Sequence, residues 1–210
     1  TAVEYGLIVA VLSLVDVGAI RRVLAYSRSD FAAMAATILV TLGWGVELGI
    51  VAGVVLSLLL HLHRTSRQHM AVVGQVPGTE HFRNVERHAV LTWPEIVSVR
   101  VDESLYFANS RFLEDKIAVF VAERPELKHV VLMCSAVNAI DASALESLEE
   151  INRRLADAGI GFHLSEVKGP VMDRLKTTDF LEHLNGRVFL SQHEAASACA
   201  TSTEPQDRYC

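Results

Sequence analysis

The chain has 210 residues, a net charge of −6 and 50% hydrophobic residues, enough for one or two domains. With 19 Lys and Arg against 25 Asp and Glu, and no arginine stripe interleaved with aromatics, it is no nucleic-acid binder. Its three cysteines, Cys134, Cys199 and Cys210, are odd in number and widely spaced, which excludes a disulfide framework and points to a reducing compartment.

These averages conceal a break in composition. Phe31 to Leu62 run 32 residues without Lys or Arg and with one carboxylate, Glu47. A basic collar of His61, His63, Arg64 and Arg67 follows, and then an ordinary soluble α/β pattern. An apolar stretch feeding through basic residues into a folded domain is how a membrane protein leaves the bilayer. Residues 1–4 carry no basic region, so the first apolar segment is no signal peptide, and the chain reads as beginning mid-protein.

The apolar segments predict three transmembrane helices, at about 5–20, 30–44 and 46–63, within a membrane part covering 1–67. One unbroken helix over 31–62 would run roughly 48 Å, beyond a ~30 Å hydrocarbon core. Gly43-Trp44-Gly45 therefore reads as the turn of a hairpin. Arg21, Arg22 and Arg28 lie on one connection, and Arg64 and Arg67 follow the last helix, while the hairpin turn has no cation. The positive-inside rule then puts the remainder of the chain in the cytoplasm.

Residues 68–94 are expected to form a linker and a first edge strand (Val72, Val73 and Val76), with a turn at Pro77-Gly78-Thr79. A cytosolic domain is expected over 95–198. Val97, Val99 and Val101 alternate as a strand, and Leu105-Tyr106-Phe107 reads as a second one. Leu113, Ile117, Phe120 and Val121 mark one face of a helix over 110–123. His129–Cys134 suits a central strand. A helix over 143–158 turns Leu145, Leu148, Ile151 and Leu155 inward and stops at Gly159. A strand over 161–165, a helix opening at Pro170, a strand over 188–190 and a final helix capped by Ser191 with Glu194 complete the pattern. Residues 199–210 lack periodicity and are expected to be a disordered tail.

Several segments, in this order, resemble the SulP anion-transporter family. "LVDVGAIRRVLAYSRSD" (Leu14–Asp30) is similar to its late membrane helices, and "GVELGIVAGVVLSLLLHLHRTSRQHMAVVGQVPGTEHFRNVERH" (Gly45–His88) to its last helix and exit. "SVRVDESLYFAN" (Ser98–Asn109), "AIDASALESLEEI" (Ala139–Ile151) and "EVKGPVMDRLKTTDF" (Glu166–Phe180) look like its STAS domain. The resemblance implies a fold: the last three helices of the gate half of a fourteen-helix inverted repeat, then an α/β STAS domain, a mixed sheet with helices packed on it. It also implies secondary-active transport of sulfate, bicarbonate or a dicarboxylate, at the cell inner (plasma) membrane. Half-helices that hold the anion belong to the core half, so no substrate-binding residue is expected here. STAS would serve homodimerisation and contact with a cytosolic regulatory protein. The alternative is a membrane-anchored STAS signalling module related to anti-sigma-factor antagonists.

The same resemblance places Asp141-Ala142-Ser143-Ala144 on the Asp-x-Ser/Thr-Gly loop of STAS domains, whose serine is phosphorylated in those antagonists. Ala144 stands where the family has glycine. The plainer reading is a helix cap, either Ser143 with Glu146 as a capping box or Asp141 alone. Glu47 is either an intramembrane carboxylate or a wet turn residue. Asp16 reads as a helix-end partner of Arg21 and Arg22, and Asp30 as a cap. His61 and His63, two apart, do not share a helix face and read as interfacial. The nine histidines show no metal-ligand spacing, and no nucleophile–base pair, phosphate loop or dinucleotide fingerprint is present. No enzyme activity, cofactor or metal is expected.

Overall fold

The computed structural model describes residues 17–66, 69–200 and 206–208. It comprises two compact units, Thr1–Arg64 and Thr65–Cys210. In the first unit, α1 (Val17–Tyr26), α2 (Arg28–Trp44) and α3 (Val46–Ser66) follow one another with single-residue breaks. Most of the first expected helix, and Asp16 with it, lies outside the described residues. Its described end continues through Arg21 and Arg22 to Tyr26, because no Gly or Pro stops it there. The break comes at Ser27, in extended backbone, whose hydroxyl accepts from Asp30 N at 3.3 Å. Ser27, not Asp30, therefore caps α2.

The hairpin turn falls at Gly45, whose φ of +99° suits glycine alone. Beyond it, Gly49 packs directly on Thr41, and a methyl group at Gly53 would come 2.7 Å from Thr37 Oγ1. Glycines four apart on α3 thus meet threonines four apart on α2, running antiparallel. The Thr37 and Thr41 hydroxyls donate to Ala33 O (2.9 Å) and Thr37 O (2.8 Å), so both are satisfied within their own helix. Glu47 is exposed in the first turn of α3. Among the described residues one stretch, Val46–His63, is long and apolar enough to cross a bilayer.

The second unit is built on a mixed sheet. Its strands are β1 (Met70–Gln75), β2 (Phe82–Asn84), β3 (Val90–Thr92), β4 (Ile96–Val101), β5 (His129–Met133), β6 (Gly161–Ser165), β7 (Val188–Phe189) and β8 (Gln206–Arg208). The order is β7-β6-β5-β4-β1-β3-β8, with β2 also paired to β1. β4 to β7 are parallel, while β1 runs antiparallel to β4, β2 and β3. Two expectations change here. β1 is an interior strand rather than an edge, and the stretch expected as linker holds three strands, because short hairpins carry too few residues to show a period. The tail is also ordered in part: Cys199 is buried in a helix, and β8 pairs with the open edge of β3. Residues 201–205 and 209–210 lie outside the described residues.

Between the strands run α4 (Phe107–Glu123), α5 (Ala142–Asp157), α6 (Gly169–Leu175), α7 (Phe180–His183) and α8 (Gln192–Cys199). Strand alternation divides the two faces of the sheet. Val97, Val99, Val130, Leu132, Phe162 and Leu164 face the main core, closed by Leu113 and Ile117 of α4 and Leu148, Ile151 and Leu155 of α5. Ile96, Val131 and Phe189 face the other way, onto Ala195 and Cys199 of α8. This second face also holds the buried polar residues Ser98, His163, Ser165 and Gln192. The expected strand at 105–107 is only a single bridge, Leu105 to Ile140, and α4 begins at Phe107. Asn109 explains the early start: its Oδ1 accepts from Tyr106 N (3.0 Å) and its Nδ2 donates to Ser104 O (2.8 Å).

Candidate functional site

Three loops meet beyond the carboxyl ends of β4, β5 and β6, where open α/β sheets place their sites. The loop after β4 is stitched to the loop after β5: Leu105 N donates to Ala139 O (3.0 Å) and Asp141 N to Leu105 O (3.1 Å). From the third loop, Lys168 Nζ donates to Asn138 Oδ1 (2.7 Å), while Arg174 of α6 donates to Ile140 O (3.3 Å). Glu166, at the root of that loop, adopts φ +55°, a conformation costly for a residue with a Cβ. Its Oε1 accepts from Gln192 N at 3.3 Å, which ties the loop to the start of α8.

Asp141 is the hub. Its backbone is extended and its Oδ1 accepts from Ala144 N at 2.8 Å, which makes it the N-cap of α5. Its Oδ2 accepts from Phe107 N at 2.9 Å, so the same carboxylate also closes the first turn of α4. The Ser143–Glu146 capping box does not form, because Ser143 already has helical geometry two positions past the cap. Ser143 is exposed, and its hydroxyl has no hydrogen-bond partner among the described residues. Ala144 is buried where it packs on the core. The outcome is an uncommitted hydroxyl on the first turn of a 16-residue helix, where free N–H groups and the helix dipole favour negative charge. Truncating Asp141 to Ala should cost about 2–3 kcal/mol, since two helix ends lose a cap. Asp141→Asn should recover roughly half, having one acceptor where two are used, and Ser143→Ala should stay within about 0.5 kcal/mol. Thermal unfolding of the three variants checks this.

A second cluster lies at the opposite end of the same strands, and its long sequence separations hid it. His129, His163 and Cys199 bring three donor atoms within 4.8 Å of one another. Glycine makes the room: a Cβ at Gly161 would lie 2.9 Å from both imidazoles. The proton arrangement argues against a metal. Arg187 N donates to His163 Nδ1 at 3.0 Å, which assigns the His163 proton to Nε2, and that nitrogen lies 3.1 Å from His129 Nδ1. A metal between the rings would have to displace this proton, leaving either an imidazolate or an Arg187 N without its acceptor. Burial lowers the pKa of both rings, His163 to about 4, so the pair is neutral at pH 7. Burial pushes the Cys199 thiol up as well, and the thiol of buried Cys134 to about 12. Neither sulfur is a ready thiolate ligand or nucleophile.

With this geometry in place, the likeness to known proteins can be stated. A STAS-domain family model matches residues 89–195. Sulfate transporter 3.1 of Arabidopsis thaliana is 31% identical over 207 residues, covering 92% of this chain and 31% of that protein. High affinity sulfate transporter 2 of Stylosanthes hamata is 26% identical over 208 residues, 94% of this chain and 31% of that protein. The chain thus spans about a third of the length of the relatives it matches. The structure of the murine Solute Carrier 26 family member A9 anion transporter, in its inward-facing state, superposes with a TM-score of 0.75 at 19% identity. That superposition covers 87% of this chain and 30% of the murine one, and it speaks for the fold alone.

Proposed function

The chain belongs to the SulP family and carries that family's STAS domain, and on this premise we propose that it works as part of a secondary-active anion transporter. One observation carries the reading. The likeness to sulfate transporters extends over 207 residues, through the helical hairpin as well as the STAS region, at 31% identity. A signalling module that had merely borrowed a membrane anchor would match over the STAS part alone.

In this reading α1, α2 and α3 cross the inner or plasma membrane as gate helices, and the STAS unit lies in the cytoplasm. The seam of Gly49 and Gly53 on Thr41 and Thr37 supports that placement, since small-residue contacts and returned hydroxyls are how helices pack in lipid. The anion, an oxyanion such as sulfate by analogy with the relatives, binds in helices outside this chain. STAS contributes assembly of a homodimer and a surface for a cytosolic regulator. The link is covalent, for α3 runs to Ser66 and β1 begins at Met70. Ser143 is the position where a phosphoryl group would be stabilised by the α5 N-terminus and opposed by the charge of Asp141.

The test uses the whole transporter in vesicles, with and without residues 71–210. Sulfate uptake is expected to fall at least several-fold on deletion, together with loss of the crosslinked dimer. Unchanged uptake and unchanged dimer would sink the role given to STAS. The coding sequence upstream of Thr1 should supply about eleven further apolar segments if the inverted repeat is complete. A start codon immediately upstream would end the transport reading.

A further inference from the structure

Beside β1 and β2 lies a pocket of about 320 Å³ whose lining includes His69, Ala71, Arg83, Arg87, His88 and Arg100. One carboxylate, Asp102, lines it, and that group is taken: Arg100 Nε and Nη2 hold its two oxygens at 2.5 and 3.1 Å. Arg83 and Arg87 are exposed and have no carboxylate at ion-pair distance among the described residues. The turn that presents them is firm. Asn84 Oδ1 accepts from Glu86 N (2.8 Å), and Arg87 N and His88 N both donate to Asn84 O (3.1 Å). The pocket lining therefore carries an excess of two guanidinium charges around a concave space, while Glu86 of the same turn is not part of that lining. Guanidinium forks match the oxygens of a phosphate.

We propose that this pocket holds the phosphate of an anionic phospholipid headgroup. Exposed guanidiniums hold a dissolved ion only weakly, because water and salt screen them. A headgroup in an anionic leaflet is instead supplied at high local density, where each nearby cation raises the affinity about five-fold. In the sequence, His69 lies two residues beyond the run His61, His63, Arg64 and Arg67 that closes the apolar stretch Val46–His63. Polybasic residues in that position are the usual reader of anionic lipid. The proposal rests on the reading of α2 and α3 as membrane helices.

The experiment reconstitutes the full chain in nanodiscs of phosphatidylcholine alone and of phosphatidylcholine with phosphatidylglycerol at about 7:3, and counts co-purifying lipid by native mass spectrometry. The wild-type chain should enrich phosphatidylglycerol, and Arg83→Gln with Arg87→Gln should lower that preference about ten- to thirty-fold. Arg87→Glu, a single change in an exposed turn, should lower it at least as much as removing one cation. A control of Arg111→Gln with Lys176→Gln, two cations elsewhere on the domain, should leave it intact. Equal loss in the control, or retained preference in the Arg83 and Arg87 variants, overturns the proposal. So does displacement of the lipid by about 10 mM inorganic phosphate, which would make this a soluble-anion site. A chain that fails to enter pure phosphatidylcholine discs overturns the membrane reading instead, a separate outcome.

Discussion

Replacing Gln192 by Ala should destabilise the STAS unit by about 3 kcal/mol. Gln192 is 1% exposed, and its amide bridges two strands: Ser165 Oγ donates to Oε1 at 2.6 Å, and Nε2 donates to Ser98 Oγ at 2.7 Å. Both serines are buried beneath α8, so truncation leaves two hydroxyls without partners as well as a cavity. The cost therefore lies in the orphaned groups more than in the bonds themselves. That distinction can be measured. Gln192→Leu alone should be nearly as damaging as Gln192→Ala, whereas Gln192→Leu with Ser98→Ala and Ser165→Ala should regain most of the loss, because nothing polar is then stranded. Urea unfolding followed through Trp93, with Trp44 replaced by Phe, gives the comparison. A triple variant no more stable than the single would show that shape, not polarity, is what Gln192 supplies.

Acid should weaken the same unit through His163. Burial, then the charges of His129 and Arg187, hold this ring's pKa down to about 4, against 6.5 for a free histidine. A base whose pKa is depressed by folding binds its proton more readily in the unfolded chain. Its contribution is therefore complete above pH 6.5 and is lost as the pH falls from 6.5 toward 4. The span of the shift corresponds to about 3 kcal/mol. The physical event is loss of the arrangement at His163, where Nδ1 must accept from Arg187 N. Carboxylates add their own acid sensitivity, so the informative quantity is the difference in stability between pH 7 and pH 4.5 for the parent chain and for His163→Gln. The variant should lose about 2 kcal/mol less on acidification. An identical pH slope in both chains would show that His163 titrates normally.

Much of the second unit could be read from residue patterns, and the reasons differ by element. β4, β5 and α5 were legible because each is long and buried on a regular period: Val97, Val99 and Val101 on one, Leu148, Ile151 and Leu155 on another. Local punctuation was equally readable. Gly159 turns at φ +72° where the α5 helix had to stop, and Ser191 Oγ accepts from Glu194 N at 3.1 Å at the start of α8. What escaped was everything set by partners distant in sequence. β1 looks like an edge strand until β4 and β3 flank it. At the site, Asp141 was visible as a cap for its own helix, yet its second bond, to Phe107 N, crosses 34 residues. The His129–His163 pair is invisible for the same reason, since no short spacing announces it.

The seam between α2 and α3 bears on how the chain is made. Gly49 on Thr41 and Gly53 on Thr37 bring two backbones close without burying any large side chain. Attraction of that kind comes from dispersion between backbones and is as strong in lipid as anywhere else. On the proposed reading of α2 and α3 as membrane helices, the pair would close while the ribosome is still delivering the domain behind it, and would enter the bilayer as one prefabricated insert. Leu48, Val51, Val55 and Leu58, each about half exposed or more, are left over from that closure. On the same reading they would be an adhesive surface for the next helices that the membrane offers.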